Sequence, residues 1–176
     1  MDKLKTVAIV LTHNRCNLLK RCLKKLDEQS LKVDKILVID NGSTDGTKDF
    51  LSSMNIEFIS QTNSGSAGGW FTGLKFAIDN DFDTAWLMDD DGYPHKDAYK
   101  ILKKAFTKDT ACISSVVINE ADKSKFVFPF PLLNKSQMPK IGFKKNKIFL
   151  VNKLNSFCKN NLYPWVHLFN GALISI

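Results

Sequence analysis

The sequence predicts an α/β fold in which a mostly parallel central sheet is flanked by helices. Three observations carry this. Residues 5–11 are a continuous apolar, β-branched run and 35–39 a second such stretch, the pattern of strands buried on both faces, and 84–88 and 112–118 also read as strands. Apolar residues at helical spacing fill the segments between them. Strands alternating with helices in this way build right-handed βαβ units, and so a parallel sheet. A chain of 176 residues is long enough for one domain with a substantial core.

The elements follow in order. Residues 5–11 (KTVAIVL) form the first strand. A helix follows, with Leu18, Leu19, Cys22, Leu23 and Leu26 on one face and Lys20, Arg21, Lys24 and Lys25 opposite. Residues 35–39 (KILVI) are the second strand, ending in Asp40. Asn41 to Gly46 is a loop, and a short helix starts near Thr47. Residues 56–59 make a weaker third strand. The Gly-rich stretch 61–69 leads into a helix in which Phe71, Leu74 and Ile78 share the inward face. Residues 84–88 are the fourth strand. A helix starting near Pro94 turns Ala98, Ile101, Leu102, Ala105 and Phe106 inward. Residues 112–118 are the fifth strand. Beyond residue 120 only 126–128, 148–151 and 166–176 have strand character.

The formal charge of +7 hides an asymmetry. Residues 1–100 carry 13 Lys/Arg against 15 Asp/Glu, whereas residues 101–176 carry 12 against 3, with no acidic residue after Asp122. Such a basic half suits an anionic partner such as a membrane surface or a phosphate-bearing acceptor, or is simply a solvated lysine-rich surface. Nucleic acid is disfavoured, because the lysines are scattered and accompany no recognised binding motif. The four cysteines make no Cys-x-x-Cys pair and are expected to be reduced packing thiols. No apolar run has the length of a transmembrane helix or a signal-peptide core, so a cytoplasmic location is expected.

Ligands of open α/β sheets bind outside the carboxyl ends of the strands. Every unusual polar cluster falls at such an end. The first strand runs into Thr12-His13-Asn14-Arg15, the second into Asp40-Asn41-Gly42-Ser43, the third into Asn63-Ser64-Gly65 and the fourth into Asp89-Asp90-Asp91. Each has a structural reading too. Asp40 and Asn41 suit an Asx turn, Asp45 a helix cap, His13 and Arg15 a polar surface, and Trp70, Phe71 and Trp86 the core. The triple aspartate is the strongest sign of a ligand. Two unit charges about 4 Å apart repel by roughly 4 kcal/mol at an effective dielectric near 20. A cation offsets that repulsion, and hard carboxylate oxygens suit Mg²⁺ or Mn²⁺; the alternative is an acidic turn before Gly92 and Pro94.

Val-Leu-Thr-His-Asn-Arg, Leu-Val-Ile-Asp-Asn-Gly-Ser-Thr-Asp-Gly-Thr, Asn-Ser-Gly-Ser-Ala-Gly-Gly-Trp and Trp-Leu-Met-Asp-Asp-Asp occur in this order. In motif and spacing the chain resembles family 2 glycosyltransferases of the GT-A fold, most closely the rhamnosyl- and galactofuranosyltransferase branch. The resemblance implies a nucleotide-sugar-binding core over 1–118. Residues 119–176 would then start an incomplete acceptor-side region within one structural domain. It implies a UDP- or dTDP-linked donor, a glycan or lipid-linked acceptor, a surface polysaccharide as product and Mn²⁺ or Mg²⁺ as cofactor. By matched motif, Thr12 and His13 line the base pocket, Asp40 accepts a hydrogen bond from the pyrimidine, and Arg15 reaches the diphosphate. Asn63, Gly68 and Gly69 sit near the ribose or the sugar. Asp89 and Asp91 hold the metal, with Asp89 also touching the donor, and Asp90 lies near the donor sugar. The Lys-rich segment 135–159 would meet membrane phosphates.

An inverting transferase also needs a carboxylate base for the acceptor. Asp109, Glu120 and Asp122 come too early to match that motif, which predicts either a truncated transferase or a donor-binding module without catalysis. A haloacid-dehalogenase-type phosphohydrolase, with Asp89 as nucleophile and Asp91 as acid/base, is a further alternative. It is disfavoured because that motif normally follows a first strand. A dinucleotide-binding domain lacks its glycine turn here.

Overall fold

The computed structural model describes residues 4–136, 138, 140, 147–150, 153 and 171–176. The chain divides into two compact units, Met1–Ser115 with Leu168–Ile176, and Val116–His167.

In the first unit the elements are β1 (Thr6–Thr12), α1 (Cys16–Asp27), β2 (Lys35–Asp40), α2 (Thr47–Ser53), β3 (Glu57–Ser60), α3 (Gly65–Asp79), β4 (Thr84–Asp89), α4 (Ala98–Ala105) and β5 (Cys112–Ser114). The second contributes β6 (Lys125–Pro131) and β7 (Lys147–Leu150), and β8 (Ala172–Ser175) returns to the first. The main sheet has the order β3-β2-β1-β4-β8-β5. β1 to β4 are parallel to one another, and β8 runs antiparallel to both β4 and β5. The sheet is thus mixed and mostly parallel, as the apolar runs predict. The antiparallel strand comes from far along the chain, where no βαβ spacing announces it.

Register positions the site. Thr12 is paired with Asp40, Asp40 with Ser60, and Leu11 with Asp89. The carboxyl ends of four neighbouring strands therefore come level along one edge, each placing a polar group there.

The two faces of the sheet are covered differently. On one, Ala8, Val10, Val38, Trp86 and Met88 pack with Leu19, Cys22, Leu23 and Leu26 of α1 and with Tyr99 and Leu102 of α4. Trp86 and Tyr99 stack with centroids 5.6 Å apart, and the Tyr99 hydroxyl donates to Thr6 Oγ1 across 2.7 Å. On the other, Val7, Ile9, Leu11, Leu37, Ile39, Ala85 and Leu87 lie with Ala77 of α3. Here the structure corrects the predicted stripe. Phe71 and Ile78 are 69% and 61% exposed, and α3 buries Gly69, Gly73 and Ala77 instead. A Cβ at Gly69 would stand 2.3 Å from Leu11 Cδ1, and one at Gly73 would stand 2.7 Å from Ile9 Cγ2. Glycine lets the helix backbone lie that close; Leu74 packs against this core as predicted, while Phe71 and Ile78 face outward. In α4, likewise, Ile101 is exposed while Tyr99, Leu102 and the following Phe106 are buried. Trp86 is core as expected, and Trp70 is partly buried against the α3 side.

β5 stops at Ser114, short of the predicted 118, and Ile118 bridges to Phe126 within the second unit. There β6 and β7 pair antiparallel around Phe126, Phe130, Leu132 and Ile148. Most of the Lys-rich segment 135–159 lies outside the described residues, as do 166–170. Among the described residues no helix is long and apolar enough to cross a membrane.

Candidate functional site

The end of β4 is built around one buried carboxylate. Asp90 Oδ2 accepts the Thr12 hydroxyl at 2.8 Å, and its Oδ1 lies 3.3 Å from Arg15 Nη1. The same guanidinium nitrogen is 3.7 Å from Asp91 Oδ2. The Asp90 side chain is almost fully enclosed, whereas those of Arg15 and Asp91 are about half exposed. Burial pushes the Asp89 carboxyl above its usual range, with Asp91 and Asp90 adding to the rise and Arg15 opposing it. Burial also raises Asp90, against the pull of the Thr12 hydrogen bond and Arg15. Beneath them the Cys22 thiol donates to the Asp89 carbonyl at 3.8 Å.

The neighbouring loops are tied to this edge by asparagine and aspartate side chains. Asn14, with a left-handed φ of 54°, donates its backbone N–H to Ser43 Oγ at 2.9 Å and accepts from the Thr44 N–H at 2.7 Å. Short polar side chains tolerate that backbone conformation because they bond locally. Asp45 accepts from Cys16 N at the start of α1 and from Thr47 at the start of α2. These bonds, the Thr47 hydroxyl foremost, hold its carboxyl below the usual range. The expected cap therefore serves two helices. Asn41 is a buried hub. Its Nδ2 donates to Asn63 Oδ1 at 3.0 Å and to the Gly65 carbonyl at 3.1 Å. Its Oδ1 accepts from Gln61 Nε2 at 3.0 Å and Ser64 N at 3.2 Å.

Thr12, Arg15, Asp89, Asp90 and Asp91 are thus brought together directly. Asn63 joins them through Asn41, and His13 is exposed beside Asn14, 3.3 Å from its Nδ2. Asp40 reaches the edge, but its carboxylate is buried and already accepts Ser43 N at 2.9 Å and Ser60 Oγ at 3.0 Å. The turn reading of Asp40 is present in the geometry. Gly68 sits against Ser64, and Gly69 faces Leu11 beneath the helix, so its bareness serves packing. Sequence reasoning did not single out Asn41 and Gln61 as organisers. Their only signal is a polar residue at or just past a strand end, and loops share that feature widely.

Among the described residues no three His, Cys, Asp or Glu side chains converge as a metal site. Asp89 and Asp91 nevertheless offer hard oxygen donors in a like-charged cluster, with Asp90 engaged by Thr12 and Arg15. That set fits Mg²⁺ or Mn²⁺ only if ligand oxygens and water supply the remaining positions, which is how Mg²⁺ is commonly held. The phosphohydrolase alternative gains nothing, since Asp89 ends β4 rather than a first strand.

A family model, glycosyl transferase family 2, matches residues 7–163. Galactofuranosyltransferase GlfT1 of Mycolicibacterium smegmatis is 32% identical over 127 residues, covering 69% of this chain and 42% of the relative. The chain thus spans less than half the length of that relative. Among solved structures, S. aureus TarS 1-349 in complex with UDP aligns with a TM-score of 0.59 at 20% identity, over 91% of this chain and 50% of the other. Mannosyltransferase PcManGT from Pyrobaculum calidifontis, in complex with GDP-Man and Mn²⁺, aligns with a TM-score of 0.54 at 22% identity, over 64% and 35%. At these identities the likeness shows the fold, which is GT-A.

Proposed function

The chain belongs to glycosyl transferase family 2, and on that premise we propose that the edge shared by β1 to β4 binds the nucleotide-sugar donor of a glycosyl transfer. The observation that carries this reading is the register, which levels Thr12, Asp40 and Ser60 and sets Asp89 opposite Leu11, at four adjacent carboxyl ends. In open α/β sheets that edge is where ligands bind.

In this reading Thr12 and His13 border the base, with Asp40 beneath it. Arg15 pairs with the diphosphate, for which a guanidinium fork is suited. Asn63, held by Asn41, lies toward the ribose or sugar together with Gly68 and Gly69, and Asp90 stands near the sugar. Asp89 and Asp91 would hold Mn²⁺ or Mg²⁺, whose charge, when bound, offsets that of the departing nucleoside diphosphate. The presence of UDP in the TarS structure and of GDP-Man with Mn²⁺ in that of PcManGT supports a nucleotide and a divalent cation as the ligands. We further propose a UDP- or dTDP-linked donor, a glycan or lipid-linked acceptor, inversion at the sugar and a role in surface polysaccharide synthesis at the cytoplasmic face of a membrane. Lysines of 135–159 would attract the acceptor's phosphates.

No acceptor base is assigned. Asp122 is a poor candidate, because its bonds to Lys125 and Ser124 hold the carboxyl down to about 2. Titration calorimetry with UDP and dTDP, with and without Mn²⁺, tests the donor reading. Mn²⁺-dependent binding is expected, and Asp91→Ala should abolish the Mn²⁺ dependence. An unchanged dependence in that variant would remove the metal assignment.

A further inference from the structure

We propose that Arg15 is an internal counter-ion that occupies Asp91 until a diphosphate draws it away, so that the cation's carboxylate is masked in the empty site. The inference rests on the donor and metal reading above and adds a competition within that site.

The two arms of the Arg15 bridge are unequal. Toward Asp90, Nη1 reaches Oδ1 at 3.3 Å, and that side chain is only 4% exposed. A second bond, from Thr12 at 2.8 Å, fixes the same carboxylate. Toward Asp91 the separation is 3.7 Å and both side chains are about half exposed. Charge pairs in such a wet setting shift an equilibrium by no more than roughly fivefold. The Asp90 arm is therefore an anchor and the Asp91 arm a latch.

Charge makes the latch exclusive. A divalent cation on Asp91 and a guanidinium within 4 Å of the same oxygen repel each other, so each arriving cation must displace the Arg15 arm. A diphosphate offers the guanidinium paired oxygens, a better partner than one half-solvated carboxylate oxygen. Whatever draws Arg15 toward phosphate frees Asp91, and by reciprocity the two ligands then favour each other's binding.

The test is binding of Mn²⁺ alone, read from the free-ion signal in electron paramagnetic resonance. Arg15→Gln is expected to bind Mn²⁺ roughly fivefold more tightly than the unaltered protein. Arg15→Lys keeps the charge and a partner for Asp90 but replaces the guanidinium, whose Nη1 approaches both carboxylates, with an ammonium on a shorter, more flexible stem. It should show a smaller gain, and it covers the case in which the glutamine variant folds poorly. Adding Asp91→Asn to either variant should erase the gain. Unchanged or weaker Mn²⁺ binding in Arg15→Gln overturns the proposal. So does a gain in Arg15→Gln with none in Arg15→Lys, because net charge alone would then explain it. If the unaltered protein binds Mn²⁺ through Asp91 and neither Arg15 variant differs, the proposal falls and the metal reading stands. If no variant binds Mn²⁺ either alone or with UDP added, both fall.

Discussion

The hydroxyl of Thr12 donates to the carboxylate of Asp90 across 2.8 Å, joining residues 78 positions apart at the ends of β1 and β4. This bond fixes the one buried carboxylate of the triple aspartate, and the register beneath it explains why the two groups meet. Leu11 is paired with Asp89, so the next residue on each strand is brought alongside its counterpart. Thr12→Val keeps the shape and removes the donor. A buried acceptor that loses a partner costs about 1–3 kcal/mol, which lowers Tm by roughly 2–12 °C in a chain of this size. Thr12→Ser, which keeps the hydroxyl, should stay close to the starting value in the same thermal melts.

Asp89→Asn is expected to stabilise the fold while weakening Mn²⁺ binding. Burial, then Asp91 and Asp90, raise the Asp89 carboxyl above its ordinary value, so its ionised form is disfavoured in the folded chain. For such a group, stability is fully present below the unfolded-state pKa and is lost as pH rises through the folded-state value. The asparagine variant avoids that loss. Its advantage should be largest at neutral pH and vanish as pH falls below about 4. Allowing for partial exposure, a gain of about 0.5–1 kcal/mol is expected, or roughly 1–4 °C in Tm. Lower stability of the variant at pH 7 would contradict the repulsion.

Sequence and structure agree where the burial signal is carried by large side chains. β1, β2 and β4 are continuous apolar runs, and burial on both faces is their only economical explanation. The inner face of α3 was not legible, because Gly69 and Gly73 carry no hydrophobic signal even though they set the closest approach of helix to sheet. Phe71 and Ile78 carry a strong one and point away. The site divides in the same way. Strand ends revealed Thr12, Asp40 and the triple aspartate, since position along a strand suffices to find them. The pairing of Arg15 with two carboxylates and the four hydrogen bonds of Asn41 depend on side chains crossing between loops. No local pattern encodes those crossings.

Gly73→Ala and Gly69→Ala should separate, although both gain about 1 kcal/mol of helix propensity. The new methyl at position 73 would meet Ile9 Cγ2 at 2.7 Å, on a fully buried, β-branched side chain with a stiff χ1. Overpacking of that kind costs about 1–3 kcal/mol, so a net loss is expected in urea unfolding. At position 69 the obstacle is Leu11 Cδ1, the free end of a side chain that retains 7% exposure. Leucine can turn aside, and the variant should fall near neutrality. Equal losses at the two positions would mean that the sheet, not the single side chain, resists the helix.

Cys22 ties the core to the carboxylate edge, and its chemistry should report that position. Burial foremost, then the negative charges of Asp90, Asp91 and Asp89, push its thiol up from 9.0 to about 12. Thiolate is the reactive form, so Cys22 in the folded protein should resist iodoacetamide at pH 8–9, while the half-buried Cys16 is modified first. Peptide mass spectrometry resolves the two sites. The same shift fixes a sign for stability. A raised folded-state value means that the contribution is complete below pH 9 and is lost as pH climbs from 9 toward 12, because the unfolded chain releases the proton more readily. Cys22→Ala should lack that component of alkaline destabilisation, although it opens a small cavity beside Asp89 and lowers stability at neutral pH. The gap in unfolding free energy between variant and parent should therefore narrow above pH 9. A gap that stays constant to pH 11 would show that the thiol titrates alike in the folded and unfolded chains, and that the three carboxylates do not act on it.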